Sequence, residues 1–557
     1  MFDTVDYVVY FFMLGGSAFI GIYFGYLKKQ EKTIDGYLLG SKKMKTVPVA
    51  ISSMTTSISG LTLLALPTDV YLYGSQYVFV PLVIGIVSIV NCYLFLPVIL
   101  KLNVPNGFEY LNMRFNRKIR LLASLIFVVQ VTVYNPLIAY IPAIAFSQVA
   151  GINVHLITPV VCGICVFYTT IGGFKAVVWT DVFQFAGMVG SVSAIMWLGI
   201  KSVGGLQHMW QDALKGGRLE FDFDPTVREG FWSIMLGGGI VWLNIVCFHP
   251  STVQKYLSVA NPWDVKKLTL LTSFGIGFIN LCCILIGIML YSKYKGCDPL
   301  TTGQVVTNDQ LLAHFIMNLD GTIPGLGGLF IAGVFSAALS SLSSAFNTLA
   351  ATVYGDFILP YVKFNISHNG TNSILKTIVV VSGIICIALT FVVEKLGSLL
   401  GFSNAVLSCV SGLLAGLFLL GMLFPMANSK GALWGTIISA TVSVWITSAH
   451  QWYKVKGAFD HFTKPLSVEE CGFSVNFTRA TPPISASEPF ILYRLSFWYN
   501  SLIATLILIV VGLIVSWFTK DEDEFVDPEL ISPISQFLIT RRQLKKVNTF
   551  ECTPFEV

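Results

Sequence analysis

Apolar segments without charged residues recur along the whole chain, and they constrain its fold more than any other feature. In a helix, about 20 such residues span the roughly 30 Å hydrocarbon core of a bilayer. Only 12% of the 557 residues are charged, against about 25% in a soluble globular domain. Because no aqueous fold can bury so much apolar surface, the sequence predicts an all-α polytopic membrane protein. The net charge of +5 therefore does not indicate nucleic-acid binding.

The apolar pattern predicts about 13 transmembrane helices. The expected spans are 6–27, 48–72, 77–100, 121–149, 155–174, 178–200, 230–250, 268–291, 323–355, 377–394, 397–425, 431–450 and 496–518. An odd number of spans puts the termini on opposite sides, and one set of loops holds most of the Lys and Arg residues. The positive-inside rule then favours an extracellular N-terminus and a cytoplasmic C-terminus. Lys255 is counted among the inside residues, in the loop after the seventh span.

Three glycosylation sequons test this topology. The long outward loop 451–495 contains the sequon at Asn476, which is expected to carry a glycan. Two further sequons, at Asn365 and Asn369, fall on an inside loop and are expected to stay unmodified. Glycan on either inside site would invert the predicted topology.

The eleven cysteines show no metal-binding or redox spacing. Eight of them lie in apolar segments, where a thiol behaves as a small apolar group. Cys297 and Cys471 lie in outward loops, and an oxidising environment there would allow them to form a disulfide.

The C-terminal residues 519–557 carry charge runs and no apolar periodicity long enough for a domain. They are expected to form a flexible cytoplasmic tail. The last residues, Pro554 to Val557, could add a strand to a PDZ-type groove. Short endings of this kind also arise by chance, so the ending alone does not decide whether such a partner exists.

Two spans are interrupted by hydroxyl residues and glycine at membrane depth. The second contains Ser52 to Gly60 ahead of Pro67, and the ninth contains Ser336 to Ser344. Small hydroxyl residues are common where helices pack closely in a bilayer. Hydroxyls beside the free carbonyls of a broken helix can also supply the oxygens that a sodium ion needs. Ser340 and Ser341 are adjacent candidates for such a site, and spacing alone leaves both interpretations open.

Three single residues carry further alternatives. Asp181 lies inside the sixth span, where a carboxylate is costly unless hydrated or paired, so it is either functional or an interfacial cap. His249 could relay a proton, but a histidine followed by a helix-ending proline is more often structural. Trp498 lies near a span end and is typical of the interfacial aromatic belt.

Several motifs together resemble the sodium/solute symporter family over residues 5–520. They occur in the family's order and spacing. Tyr168 to Ala176 followed by Thr180 to Gln184 resembles the family's signature segment, and Ser340 to Asn347 resembles its eighth core helix. The matching segments are Tyr168 to Ala176, Thr180 to Gln184, Thr252 to Tyr256, Ser340 to Asn347, Tyr354 to Asp356 and Gly416 to Met422.

The resemblance implies a LeuT-type transporter core of two inverted five-helix repeats, in which the first and sixth core helices are broken. The repeats would cover 48–200 and 230–425, after an extra helix in 1–27 and before two helices in 431–518. It also implies alternating access driven by a transported sodium ion. The implied sodium ligands are the backbone oxygens of Thr55, Ile58 and Ala337 and the hydroxyls of Ser340 and Ser341. Asp181 matches a family acid linked to cation coupling.

Within the family, Leu61 to Gly74 is similar to the monocarboxylate and multivitamin branch. Sugar carriers place an Asn and a Tyr-Trp pair where this chain has Ser57 and Ile245-Val246, so sugar is disfavoured. The expected solute is a small organic anion such as lactate, a short-chain fatty acid, pantothenate or biotin, imported across the plasma membrane. The residues expected along its path are Ser57, Ser59, Gly60, Ile245, Val246 and His249.

Other functions on the same fold stay open from sequence. A solute sensor or an ion-leak protein would bind without accumulating solute, and a symporter for iodide or sugar would keep the same sodium motifs. An enzyme is not expected, because the sequence shows no nucleophile with a base and orienting acid, no phosphate-binding glycine loop and no metal-ligand spacing. Uptake into vesicles distinguishes a carrier from a sensor.

Overall fold

The computed structural model describes residues 2–27, 34–102, 106–305, 307–319, 324–361, 367–394, 399–456, 463–471, 490–519 and 526–538, and every regular element in these ranges is helical. The α-helices are α1 (Thr4–Ile22), α2 (Ile34–Leu39), α3 (Thr46–Ser57), α4 (Gly60–Tyr73), α5 (Phe79–Val90), α6 (Leu96–Lys101), α7 (Glu109–Arg114), α8 (Arg117–Ala150), α9 (Val154–Ser202), α10 (Leu206–Lys215), α11 (Gly239–Leu243), α12 (Pro250–Leu257), α13 (Pro262–Tyr294), α14 (Leu311–Leu319), α15 (Leu326–Thr352), α16 (His368–Val393), α17 (Leu399–Leu423), α18 (Ser429–Val455), α19 (Ile491–Arg494) and α20 (Tyr499–Phe518). Short π-helical segments occur at Tyr23–Leu27, Asn91–Phe95, Ser233–Gly238, Asn244–Phe248 and Val353–Ile358. Short 3-10 turns occur at Gly40–Lys42, Ser75–Val78, Asn308–Gln310, Leu359–Tyr361, Pro528–Leu530 and Pro533–Leu538.

The helices account for the predicted spans. Within the described residues, 11 helices are long and apolar enough to cross a membrane, and the bent pair α3 and α4 adds a twelfth span. Helix α9 has 49 residues, a length of about 74 Å at 1.5 Å per residue, and covers both 155–174 and 178–200. Counting α9 as two spans gives 13, so the predicted all-α, polytopic architecture is confirmed.

A glycine separates the two spans of α9. Gly173 has a φ of 56° and a ψ of −160°, inside an otherwise helical run. L-residues with a side chain rarely adopt such a positive φ. A Cβ on Gly173 would also approach the Tyr37 carbonyl oxygen to 3.1 Å. The break at Gly173 therefore joins the two spans directly, without a loop between them.

Helix α15 lies at the centre of the bundle and is almost entirely buried. It packs against α9, α8 and α1. Its first turn contacts the N-terminal helix closely, because the Gly328 amide donates to Asp6 at 2.7 Å and a side chain at Gly328 would meet the Asp6 backbone. Small residues let membrane helices approach in this way. Close packing thus explains part of the glycine, alanine and serine content of α15.

One end of the bundle carries a disulfide between Cys297 and Cys471, with a Cα separation of 4.9 Å. Neighbouring residues tie the same loops to the end of α4. The Tyr71 hydroxyl donates to Asp298 at 2.6 Å, and the Lys464 amide donates to the Leu72 carbonyl at 2.9 Å. These contacts hold the end of α4 against the disulfide-linked loops.

The opposite end shows one departure from the predicted tail. Residues 526–538, expected to be flexible, fold back after α20 and pack against the helix ends, with Leu530 and Ile531 buried. The sequence did not predict this segment, because its two 3-10 turns, each beginning with a proline, are too short to show a periodic pattern of apolar residues. The rest of the predicted tail, its PDZ-type ending and the Asn476 and Asn365 sequons lie outside the described residues.

Candidate functional site

Two breaks in membrane-spanning helices open onto one central cavity. The first separates α3 from α4 at Ile58 and Ser59, where both residues are extended and the two helices are bent by 53°. The second lies at His249, which has a φ of −60° and a ψ of 128°. Pro250 causes this second break, because proline disfavours a helical conformation of the preceding residue and is well placed at the first position of α12. Ser59 and His249 both line the cavity.

Beside the first break, α15 contacts α3 through hydroxyl and carbonyl oxygens. Ser341 Oγ lies 3.0 Å from the Thr56 carbonyl and 3.1 Å from the Ala337 carbonyl. The Thr56 hydroxyl lies 2.9 Å from the Ser344 hydroxyl. The structure therefore brings the predicted residues of the ninth span to the break in the second. Thr55 and Ile58 lie on the α3 side of this contact, within one turn of Thr56.

Two buried oxygens beside this contact have no hydrogen-bond partner among the described residues, namely Ser340 Oγ and Asp181 Oδ1. Both residues are fully buried, and the Ser340 hydroxyl is close enough to stabilise the Asp181 carboxylate, although the two groups do not form a full hydrogen bond. Buried polar atoms are normally paired, because leaving one unpaired costs about 1–3 kcal/mol. Oxygens that lack donors in this way suit a cation.

Asp181 connects three helices at this point. Its Oδ2 accepts a hydrogen bond from the Ser52 hydroxyl at 2.5 Å, so α9 reaches the start of the broken span. Asp181 is completely buried, which favours the functional interpretation over the interfacial cap. Its position beside Ser52 and Ser340 makes it part of the candidate ion region.

Lys255 is the residue of this site that the sequence analysis assigned wrongly. It was expected in an inside loop, but it lies in α12 and is 2% exposed. Its Nζ donates to the Ser52 carbonyl at 2.8 Å and to the Thr56 hydroxyl at 2.5 Å. Ser52 thus joins the ammonium to the Asp181 carboxylate. The one signal in the sequence was the position of Lys255 inside a family motif, which a count of loop charges ignores.

The predicted solute-path residues divide into two groups. Ser57, Ser59, Ile245 and His249 line the cavity. Gly60 and Val246 do not. A side chain at Gly60 would face Pro142, and the Val246 carbonyl accepts from Tyr256 at 2.7 Å, so both positions serve helix packing.

The cavity wall is mostly apolar, and its polar groups are uncharged. Among the described residues, no Asp, Glu, Lys or Arg side chain lines it. The indole nitrogens of Trp242 and Trp498 are buried at its wall without an acceptor in the described part of the chain. A buried indole N–H normally has a partner. The two indole N–H groups are therefore candidate donors for an acceptor beside the cavity.

Trp498 also corrects an expectation from sequence. It was assigned to an interfacial belt, but its side chain is 3% exposed and packs beside Gly238 at the cavity wall. Trp242, which sequence analysis did not select, is 8% exposed. An indole in an apolar run looks the same in sequence whether it faces lipid or a cavity, so only packing identifies these two donors.

An ionic cluster lies beside the cavity near Trp498. Arg228 Nη2 is 3.3 Å from Asp69 Oδ1 and 3.5 Å from Glu229 Oε1. The guanidinium also stacks over Tyr73 and Phe497, the latter at 5.5 Å from the ring centroid. Burial, and then the negative charge of Asp69, raise the pKa of Glu229 well above its usual range. Arg228 is therefore paired with Asp69 and is not a free cation for a solute.

Comparison with known proteins gives consistent matches over most of the chain. The sequence model of the sodium:solute symporter family matches residues 37–439. A sodium-coupled monocarboxylate transporter 1 from Xenopus laevis is 34% identical, over 96% of this chain and 89% of that protein. A sodium-dependent multivitamin transporter from Oryctolagus cuniculus is 31% identical, over 99% of this chain and 88% of that protein. A solved Na⁺-coupled sialic acid symporter superposes with a TM-score of 0.74 at 22% identity, over 93% of this chain and 98% of that one. The structural match confirms the predicted transporter fold.

Proposed function

Because this chain belongs to the sodium:solute symporter family, whose coupling ion is sodium, we propose that it imports a small organic anion, a monocarboxylate or a vitamin acid, by alternating access. Its relatives at 31–34% identity are named as sodium-coupled monocarboxylate and sodium-dependent multivitamin transporters. The observation that carries the proposal is the uncharged cavity between two helix breaks, which holds unpaired donors and adjoins a cluster of unpaired oxygens.

The proposed sodium ligands are the backbone oxygens of Thr55, Ile58 and Ala337 and the hydroxyls of Ser340 and Ser341. The contact of Ser341 with Thr56, and the burial of Ser340 Oγ without a partner in the described residues, support this assignment. Asp181 is proposed to act in cation coupling, since its carboxylate is buried beside Ser52 and Ser340. Broken helices supply carbonyl oxygens for sodium in other transporters.

The solute carboxylate is proposed to be held by neutral donors and by the start of α4. Ser59, Leu61 and Thr62 line the cavity at the first turn of this 14-residue helix, where backbone N–H groups and the helix dipole favour an anion. The indoles of Trp242 and Trp498 would add two donors. An uncharged wall of this kind holds a carboxylate without a fixed cation that would delay its release.

The two inverted repeats are proposed to cover 48–200 and 230–425. Each would begin with a broken helix, at Ile58 in the first and at His249 in the second. Equivalent breaks are expected from an internal repeat whose first helix forms the binding site.

Uptake into proteoliposomes tests the function. Labelled lactate, butyrate, pantothenate and biotin are each offered with an inward gradient of sodium or of choline, and iodide and a sugar serve as comparison solutes. We expect sodium-dependent accumulation of at least one of the organic anions. Binding or current without accumulation would indicate a sensor or a leak, and accumulation of iodide or sugar alone would contradict the proposed solute class.

Replacing Trp242 or Trp498 by phenylalanine is expected to raise the half-saturating concentration of the transported anion about tenfold. Phenylalanine keeps most of the ring volume and removes the N–H, and a hydrogen bond to a charged group contributes about 1.5–3 kcal/mol. Initial uptake rates at saturating sodium measure the change. Trp445→Phe is the matched control, because Trp445 is 57% exposed and does not line the cavity. Equal effects of all three substitutions would contradict a role for the indoles.

The protein is proposed to lie in the plasma membrane with its N-terminus outside and its C-terminus in the cytoplasm. The disulfide marks one end of the bundle as the oxidising side. Asp6 contacts Gly328 at the start of α15. In the described residues between the end of α13, near the disulfide, and the start of α15, no helix is long enough to cross the membrane. These contacts support an N-terminus on the side of the disulfide and residues 526–538 on the other side.

Glycosylation provides the test of this orientation. In mammalian cells, Asn476→Gln is expected to abolish the mobility shift produced by removal of N-linked glycans, because Asn476 is on the outward loop. Asn365→Gln and Asn369→Gln should leave that shift unchanged. A glycan that survives in Asn476→Gln and is lost in either of the other variants would reverse the orientation.

A further inference from the structure

The segment 526–538, which we call the tail strap, crosses the end of the bundle opposite the disulfide. Val526, Leu530 and Ile531 are buried, and Ser532 is completely inaccessible. The Tyr110 hydroxyl of α7 donates to the Leu530 carbonyl at 3.1 Å. An exposed tail would make none of these contacts, so the strap is docked in a specific position.

Ser532 is the centre of this docking. Its amide donates to the Met422 carbonyl at 2.9 Å, at the end of α17. Its hydroxyl donates to the Leu94 carbonyl at 2.9 Å, in the π-helical segment between α5 and α6. One residue of the tail thus links a helix of the proposed first repeat to a helix of the proposed second repeat.

This position matters for transport because alternating access moves one part of the core against the other. A strap bonded to both Leu94 and Met422 must loosen when their distance changes. It therefore stabilises one of the two states, and its release shifts the equilibrium towards the other state. That consequence rests on the proposed alternating-access function.

The chemistry around Ser532 makes its release controllable. Both of its hydrogen bonds end on carbonyl oxygens, which repel an anion, and the site is closed to water. A phosphoserine carries a charge of about −1.5 to −2 and three acceptor oxygens. Arg114 is the nearby cation on α7, but its guanidinium donates to the carbonyls of Gly421, Phe424, Pro425 and Ala427. A phosphate on Ser532 would have to compete with these carbonyls for the Arg114 guanidinium in the docked position.

We propose that Ser532 is a phosphorylation site that releases the tail strap. Pro533 follows it directly, the pairing that proline-directed protein kinases recognise in an extended chain. When the strap is undocked, the Ser532 hydroxyl attacks the γ-phosphorus of a nucleoside triphosphate. A bond from Oγ to phosphorus forms, the bond to the nucleoside diphosphate breaks, and the hydroxyl proton passes to the kinase base. The modified strap stays undocked until the phosphate is hydrolysed.

The first experiment labels the full-length protein in detergent with radioactive ATP and a proline-directed kinase. Label is expected on Ser532 in the unaltered chain, and the label at this position should be absent from Ser532→Ala and from Pro533→Ala. Mass spectrometry assigns the site. Absence of label on Ser532 in the unaltered chain would overturn the proposal.

The second experiment measures docking by hydrogen exchange across 526–538, which does not require transport. Ser532→Glu and the phosphorylated protein are expected to lose amide protection at least about fivefold, a typical size for a coupled transition. Ile534→Glu is the matched control, since Ile534 is 55% exposed on the same strap. Unchanged protection after phosphorylation would refute release. If phosphorylation lowers the amide protection but leaves the uptake rate unchanged, the strap is released as proposed, but its release does not control transport.

Discussion

Replacing Ser340 and Ser341 together by alanine is expected to raise the sodium concentration for half-maximal uptake by at least tenfold. The change removes two hydroxyl oxygens from the region where Ser341 contacts the Thr56 carbonyl and Ser340 lacks a partner in the described residues. An interaction of a polar group with a charge contributes about 1.5–3 kcal/mol, and 1.4 kcal/mol corresponds to tenfold. Initial uptake rates over a sodium series at saturating solute measure the shift.

The control for this pair is Ser439→Ala. Ser439 is buried and donates to the Ala504 carbonyl at 2.6 Å between α18 and α20, so its loss removes a buried hydroxyl away from the proposed ion site. Its sodium dependence should match that of the unaltered protein. An unchanged sodium dependence in the double variant would remove both hydroxyls from the proposed ligand set.

Replacing Lys255 by methionine is expected to reduce sodium-dependent uptake at least a hundredfold and to lower the Tm in detergent. The substitution leaves the Asp181 carboxylate buried without its neighbouring ammonium, and breaking a buried charge pair from one side costs about 3–5 kcal/mol. Uptake rates and thermal melting monitored by size-exclusion chromatography give the two measurements. Lys255→Arg keeps the charge and should retain a higher Tm than Lys255→Met.

The double variant Asp181→Asn with Lys255→Met separates folding from coupling. Both charges are then absent, so the Tm should recover most of the loss seen in Lys255→Met. Sodium-dependent uptake should stay low, because the proposed coupling carboxylate is gone. If Lys255→Met alone shows a normal Tm and normal uptake, the ammonium has neither role.

The sequence predicts the spans well, and it selects two segments that meet at the first helix break, for a physical reason. A membrane requires long apolar helices with satisfied backbone groups, so each span leaves a long signal in the sequence. Hydroxyl clusters in the second and ninth spans are conspicuous against that apolar background. The contact of Ser341 with Thr56 joins two segments that the sequence had already selected.

Sequence analysis missed residues whose role depends on the direction of the side chain and on its burial in the bundle. Lys255 lies close to a span end, and only the fold shows that α12 turns it into the core. The local sequence around Trp498 would be the same if its indole faced lipid. Only the packing of neighbouring helices shows that the indole is buried. The tail strap buries three apolar residues across two short turns, which is too little for a periodic signal.

The attachment of α4 to the disulfide-linked loops has a consequence for pharmacology. Tyr71 bonds to Asp298, and Arg218 donates to both the Tyr71 and Pro465 carbonyls, at 2.9 Å and 3.0 Å. The half-helix that begins at the cavity is thus clamped at its far end to loops that the proposed topology places outside the cell. A nanobody that grips those loops would restrain that half-helix from a distance, and it would stall the carrier as a non-competitive inhibitor at any concentration of solute.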